Sequence, residues 1–411
     1  MVTSPELDRT APIRGVEDAV RHIARICFKT GPPVHTGLEL EWTVHDAADP
    51  ARPVETERLR AALGPHSPAT IDSSGPAAPL RHGGAVTVEP GGQLEISTAP
   101  RSSLAALIDA TSDEIAQVTR LLRAAGLVLG RTGIDPWRTP RPTVDTPRYR
   151  AMRSVFDRHG PAGRTMMCST AGLQVCLDAG EPAHLPARWA AAHAVGPPLL
   201  AAFATAGRHA GRHTGWASAR MATWLGIDPA RSRPVWSPAD PDADPVAAWA
   251  AYALAAPLLC LRSGDGDWTP PPGVTFADWA AGALSRPPTA DDLDYHLGTL
   301  FPVVRPRGYL ELRYLDAQPG RDWTLPLVVL AAIFADPGTV ARATAVAAPV
   351  ADRWYVAARH GLADPPLARA AAGLLDLALA ALPGLDLPDR LREETTRGLR
   401  RRLAATERGS Q

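Results

Sequence analysis

The stretch 35-HTGLELEWTVH-45 sets two glutamates, Glu39 and Glu41, among Leu38, Leu40 and Trp42. In an extended strand successive side chains point to opposite faces, so both carboxylates share one face and the three apolar residues the other. Two carboxylates about 7 Å apart along a strand repel each other. The pair therefore sits on a solvated edge or faces a cation, and the rest of the chain discriminates between these.

Three further segments repeat the pattern. In 85-AVTVEPGGQLEIST-98 two alternating runs flank Pro90-Gly91-Gly92, which predicts a β-hairpin with a short glycine loop. Pairing of Glu89 with Gln93 across that turn would place Glu89, Gln93 and Glu95 on one face, with Leu94 and Ile96 on the other. In 171–178, Leu173, Val175 and Leu177 alternate against Gly172, Gln174 and Cys176. In 309–315, Leu310, Leu312 and Tyr314 alternate against Glu311 and Arg313. Strands separated by long helical excursions, two of them hairpinned, predict an α+β fold: a largely antiparallel sheet with helices behind its apolar face. Any one polar face could simply be solvated. In an arginine-rich chain, however, a solvated face should mix both signs, and these strands carry Glu39, Glu41, Glu89, Glu95 and Glu311 with a single Arg. Five converging carboxylates call for hard divalent cations with oxygen ligands.

Composition narrows the chemistry. The 411 residues carry 43 basic and 43 acidic side chains, so no global charge points to nucleic acid or a charged membrane surface. Lys29 is the one lysine, leaving cationic work to arginine, whose rigid fork suits carboxylate and phosphate. Cys27, Cys168, Cys176 and Cys260 form no CxxC pair or zinc spacing, as expected of reduced thiols in a cytoplasmic protein. The N-terminus lacks an apolar core of signal-peptide type, and the apolar runs 325–334 and 187–206 are too short or interrupted to span a bilayer, so no membrane partner is expected. One catalytic domain over 1–411 is expected, with a flexible tail at 1–14 and a helical C-terminal part at 321–408. Phosphate-loop, nucleophile-elbow, zinc-protease and kinase signatures are all missing. Paired carboxylates suit a glycosidase, but five on one sheet face are too many for that chemistry. His296 in DYHLGTLFP is the histidine most tied to the constellation, with a helix-cap or packing role as the alternative.

The set 36-TGLELEW-42, 88-VEPGGQLEIS-97, 166-MMCSTAGLQVCLD-178 and 293-LDYHLGTLFPVVRPRGYLELRYLD-316 resembles the glutamate–cysteine ligases of the plant and bacterial type. It is most similar to the actinobacterial branch that supplies γ-glutamylcysteine for ergothioneine synthesis. The resemblance implies a glutamine-synthetase-like antiparallel funnel with helices on its outer face, holding ATP and two or three Mg²⁺ ions, with Mn²⁺ as an alternative. It implies that Glu41, Glu95 and Glu311 bind metal, with Glu39 and Glu89 as further ligands. Gln174 would lie near substrate and metal, and Arg313 would face the transferred phosphoryl group, with Glu311 beside it. Arg220 in 218-SAR-220 would meet a substrate carboxylate; Arg231, Arg233, Gln93 and His296 would meet nucleotide or glutamate. The loop holding Arg220, Arg231 and Arg233 departs most from the plant pattern. The implied reaction joins the γ-carboxylate of L-glutamate to the amine of L-cysteine through a γ-glutamyl phosphate, in a cytoplasmic monomer. The alternatives are a related ligase using another amine, or a non-catalytic metal- or glutamate-binding regulator.

Overall fold

The computed structural model describes residues 9–264 and 266–409. Its centre is a six-stranded sheet made of β1 (Thr36–Trp42), β2 (Ala85–Val88), β3 (Leu94–Ser97), β4 (Gly172–Leu177), β5 (Val304–Pro306) and β6 (Leu310–Asp316), in the order β2-β3-β1-β4-β6-β5. Every neighbouring pair is antiparallel. The fold is α+β, and the glutamate-bearing strand stands in the middle of the sheet.

Alternation does what it predicts. Leu38, Leu40, Leu94, Ile96, Leu173, Val175, Leu310 and Leu312 are all buried on one face. Each such side chain withdrawn from water contributes roughly 1.5–3 kcal/mol. Helices Leu104–Ala124, Leu185–Ala194 and Gly196–Phe203 pack against strands β1 and β6. Behind them lie the C-terminal helices, including Thr324–Ile333, Pro365–Ala381 and Asp389–Gly409. The stretch Pro365–Gly384 is long and apolar enough, by length and composition, to cross a membrane. Here it packs against neighbouring helices of the same layer.

Two local features depart from simple alternation. The β1 strand ends at Trp42, and Val44–Asp46 turns away to pair with Leu127–Leu129 in a separate two-stranded sheet. In β6 the register against β4 shifts between Leu312 and Leu315, so that Leu315, not Tyr314, faces Leu173, and Asp316 faces Gly172. Such a bulge re-aims the side chains within it; here these are Arg313 and Tyr314.

The expected N-terminal tail is corrected in part. Residues 1–8 lie outside the described residues. Residues 9–13, in contrast, are held against 288–291: Ile13 N donates to Pro288 O (2.8 Å), Ala290 N to Ala11 O (2.9 Å) and Asp291 N to Arg9 O (2.9 Å). Ile13 is buried, which anchors the segment.

Candidate active site

The polar face of the sheet opens into a cleft of about 740 Å³. Register places the carboxylates. Glu41 stands directly opposite Glu95, while Glu39 is flanked by Ser97 on one side and Gln174 on the other. Glu89 arrives from the hairpin, where its N–H donates to Gln93 O (2.8 Å). That hairpin is fastened by Gln93, whose Nε2 donates to Met167 O (3.2 Å) and Thr170 O (3.0 Å), and whose Oε1 accepts from Gly91 N (3.0 Å). Gly91 lies so close to the helix Ala162–Ser169 that an added Cβ would sit 2.2 Å from Cys168 O. Gln93 lines the cleft, but its amide already serves three backbone groups, so it positions Glu89 and Glu95 in place of the expected substrate contact.

Glu39, Glu41, Glu89 and Glu95 all line this cleft, and among the described residues none of them forms an ion pair. Glu41 accepts from Gly172 N (2.6 Å) and Gln174 Nε2 (3.0 Å). Glu95 accepts from Thr87 Oγ1 (2.8 Å) and Ser97 Oγ (3.1 Å). Burial, reinforced by Glu311, pushes the Glu39 carboxyl up to about 7. Burial and then Glu41 do the same to Glu89, also to about 7. Burial and the repulsion of Glu39, Glu41 and Glu89 drive Glu95 well above the usual carboxylate range. Packed oxygen donors that resist ionising alone suit a hard divalent cation, which offsets both the burial and the repulsion. The donor set fits Mg²⁺ or Mn²⁺.

Glu311 behaves differently. Cross-strand pairing sets it opposite Arg305, which donates from Nε (2.6 Å) and Nη2 (3.2 Å). Arg313 Nη1 adds a third bond at 2.7 Å, and Arg307 stands 3.8 Å away. Against full burial, Arg305 and Arg313 hold the carboxyl down at about 2. Both oxygens are therefore engaged by guanidinium groups, which sets Glu311 apart from the other four glutamates. It still lies close to the cation wall, since ligand atoms of Glu39, Cys176 and Glu311 fall within 4.8 Å of one another. Gln174 bridges the two halves: Nε2 donates to Glu41, and Oε1 accepts from Arg313 Nη1 at 2.5 Å.

Four residues expected at the site are placed elsewhere. Arg220 is fully buried under the sheet end, where its Nη2 donates to Arg313 O (2.9 Å) and its Nη1 lies 4.0 Å from the buried Asp316. Arg231 is buried and spent on Asp228 (2.8 Å), Thr299 O (3.2 Å) and Pro257 O (2.6 Å). Arg233 is exposed and lies over the Tyr252 ring at 5.2 Å. His296 is buried, pairs through Nε2 with Ala253 O (2.8 Å) and packs on Phe276, and burial pushes its pKa down to about 4. None of these four lines the cleft; Arg220 reaches it through the backbone of Arg313, and Arg231 through its carbonyl, which accepts from Phe301 N (2.7 Å).

Sequence reading missed other residues of the wall. Arg305 and Arg307 fall in what reads as an irregular Pro/Arg passage, yet alternation of Arg305 with Val304 and Pro306 was there to be seen. Arg148 and Tyr149 open the helix Pro147–Phe156, which Thr146 caps by accepting from Tyr149 N (3.2 Å). Arg148 Nη2 is tied to Gly298 O (2.9 Å), and its guanidinium lies 5.0 Å from the centre of the Tyr295 ring. Trp224, Tyr309 and Arg9 also line the cleft. For Arg148, Thr-Pro-Arg-Tyr as a helix-start signal was the available clue.

The cleft sets clustered carboxylates against a guanidinium cluster, a donor set of the class that suits divalent cations and phosphate groups. The chain belongs to glutamate–cysteine ligase family 2, whose model matches residues 35–408. It is 38% identical over 389 residues to "glutamate–cysteine ligase EgtA" of Mycobacterium tuberculosis, covering 92% of this chain and 87% of that protein. It is 38% identical over 376 residues to the protein of the same name from Mycolicibacterium smegmatis, covering 89% and 85%. The chloroplastic glutamate–cysteine ligase of Brassica juncea is 31% identical over 242 residues, 57% of this chain and 47% of the plant protein. Among solved structures, a glutamate–cysteine ligase from Francisella tularensis in complex with AMP shares the fold, with a TM-score of 0.52, 13% identity and coverage of 93% of this chain and 84% of that one.

Proposed function

We propose that this protein forms γ-glutamylcysteine from L-glutamate, L-cysteine and ATP, as a cytoplasmic enzyme whose product enters ergothioneine synthesis, and that its sheet acts as a glutamine-synthetase-like funnel for the three substrates. The observation that carries the reading is the meeting of two opposite surfaces in one cleft. Among the described residues Glu39, Glu41, Glu89 and Glu95 stand without ion pairs on one side, and Arg305 and Arg313 stand locked on Glu311 on the other.

Amide formation from a free carboxylate is uphill in water, so the carboxylate must be activated first. The γ-phosphorus of ATP accepts a glutamate γ-carboxylate oxygen while the bond to ADP breaks. The cysteine nitrogen then attacks the acyl carbon, the acyl C–O bond to phosphate breaks, and the proton lost from the amine passes to solvent. Such chemistry needs positioning and charge neutralisation more than a protein nucleophile. Glu39, Glu41, Glu89 and Glu95 would hold Mg²⁺, which when bound supplies neutralisation of the β- and γ-phosphates. Arg313, fixed between Gln174 and Glu311, presents a preorganised positive charge to the transferred phosphoryl group, where charge develops in the transition state. Arg148, half-buried on the cleft wall, is placed to meet a substrate carboxylate.

The test is ADP release and product mass with glutamate and a panel of amines. Release that requires both glutamate and cysteine, with γ-glutamylcysteine as product, is expected. Equal turnover with another amine would reassign the acceptor, and nucleotide binding without ADP release would sink the enzymatic reading.

A further inference from the structure

We propose that Trp224 is a positioning residue for Arg313, its indole face holding the guanidinium that meets the transferred phosphoryl group; this rests on the ligase reading above, which gives Arg313 its task. Arg313 is gripped at one corner only. Its Nη1 carries both of its side-chain hydrogen bonds, to Gln174 Oε1 (2.5 Å) and Glu311 Oε2 (2.7 Å). Its Nε is buried and, among the described residues, has no acceptor. A guanidinium tied through one terminal nitrogen is free to pivot about it, and a buried N–H without an acceptor is costly. The surface beside it is the Trp224 ring, whose centre lies 5.5 Å from Arg313 Cζ. At that range a cation is drawn to an aromatic face, and tryptophan offers the strongest of them.

Local structure delivers the ring. Trp224 lies on the helix Ala219–Leu225, whose start Ser218 caps by accepting from Met221 N (3.1 Å). The same hydroxyl donates to Asp316 (2.8 Å), so the helix is tied to the end of β6, the strand that carries Arg313. Arg220 and Trp224 are four residues apart and therefore neighbours on one helix face. Arg220 repeats the arrangement of Arg313: it is fully buried, its Nε has no acceptor among the described residues, and its Cζ lies 5.1 Å from the centre of the same ring. Its Nη2 donates to Arg313 O (2.9 Å), which fixes the backbone from which the Arg313 side chain departs. Gly172 leaves the room for this, since a Cβ there would sit 2.3 Å from Arg220 Nη2.

The indole is itself anchored. Its Nε1 donates to Phe301 O (2.8 Å), and the two rings meet edge-on with centres 6.0 Å apart. Two buried guanidinium groups repel each other, so an electron-rich ring against both holds them where an aliphatic side chain of similar size does not. Trp224 is buried yet lines the cleft beside Arg313, which puts this mount at the site and not in the remote core.

Trp224→Leu removes the aromatic face, whereas Trp224→Phe keeps a ring and loses the Nε1 bond. Both are compared with wild type in kcat, KM and calorimetric affinity for inorganic tripolyphosphate with Mg²⁺. In Trp224→Leu kcat should fall tenfold or more with KM for glutamate and cysteine within twofold of wild type, and tripolyphosphate should bind at least threefold more weakly. Trp224→Phe should recover most of both losses. A double-mutant cycle with Arg313→Lys isolates the route: a ring that acts through Arg313 costs less than threefold further once Arg313 is changed. A full tenfold loss on that background, equal losses in the Phe and Leu variants, or a rise in KM for one amino acid with kcat retained would each overturn the positioning role. A wild-type protein that binds tripolyphosphate but releases no ADP with glutamate and cysteine sinks the ligase reading, and the tripolyphosphate comparison still decides what Trp224 does. An active wild type with an equally active Trp224→Leu sinks the positioning role alone.

Discussion

At the scale of single residues, the glutamates of the site divide into two kinds. Glu41 accepts from Gly172 and Gln174 and forms no ion pair among the described residues, so Glu41→Gln keeps the shape and removes the charge. It should lower kcat by at least a hundredfold with the melting temperature within a few degrees of wild type; near-normal ADP release in this variant would remove Glu41 from the cation wall. Glu311→Gln is a different experiment. It leaves Arg305 and Arg313 buried without their shared anion, a loss of about 3–5 kcal/mol for a buried pair, so activity and thermal stability should fall together. A stable, inactive Glu311→Gln would return that residue to the role of a simple ligand. The glutamate pattern was legible in sequence because period-two alternation fixes which side chains share a face. The partner of each glutamate was not, because cross-strand register decides it: Glu41 meets Glu95, whereas Glu311 meets Arg305.

At the scale of elements, the hairpin β2–β3 and the bulge in β6 set the aim of the site. The hairpin was readable from Glu-Pro-Gly-Gly-Gln, but the reason for its first glycine appears only in three dimensions, where Gly91 lies against the backbone of Cys168. Gly91→Ala must push the hairpin off the helix Ala162–Ser169, since the colliding atoms are backbone. Overpacking of this kind costs about 1–3 kcal/mol, and it displaces Glu89 and Glu95 together. Melting temperature and kcat should both drop, and retention of full activity would show that the hairpin tip does not position the carboxylates. The bulge was invisible to a pattern search because Leu310, Leu312 and Tyr314 alternate perfectly on paper. Beyond the shift the strand ends buried, where Asp316 accepts from Thr205 N (2.8 Å) and Ser218 Oγ (2.8 Å) and stands beside Arg220. The arginines at 220 and 231 were misread for a related cause: sequence shows their number, and only packing shows that backbone carbonyls and Asp228 already occupy them.

At the scale of the whole molecule, the cation wall ties folding to pH and to divalent metal. In the metal-free protein the Glu39 and Glu89 carboxyls titrate near 7, above their ordinary 4.5, chiefly because they are buried. The folded state therefore holds protons that the unfolded chain has released, and stability falls with rising pH across that interval. The contribution is fully present below 4.5 and lost as pH passes 7. Glu311 has the opposite sign: its carboxyl is held at about 2 by Arg305 and Arg313, so its contribution is present above 4.5 and disappears as pH drops through 2. Across the range between 5 and 8 the first pair dominates, and the EDTA-treated protein should melt at a lower temperature at pH 8 than at pH 6. A ligand that binds only the folded state raises stability by mass action, and Mg²⁺ at the four carboxylates no longer has to displace protons at pH 8. The rise in melting temperature on adding Mg²⁺ should accordingly be larger at pH 8 than at pH 6, and EDTA should abolish ADP release with Mg²⁺ restoring it. A melting temperature that climbs from pH 6 to pH 8 in EDTA, with no response to Mg²⁺ at either pH, would show that Glu39 and Glu89 are not the buried, cation-seeking groups that their surroundings make them.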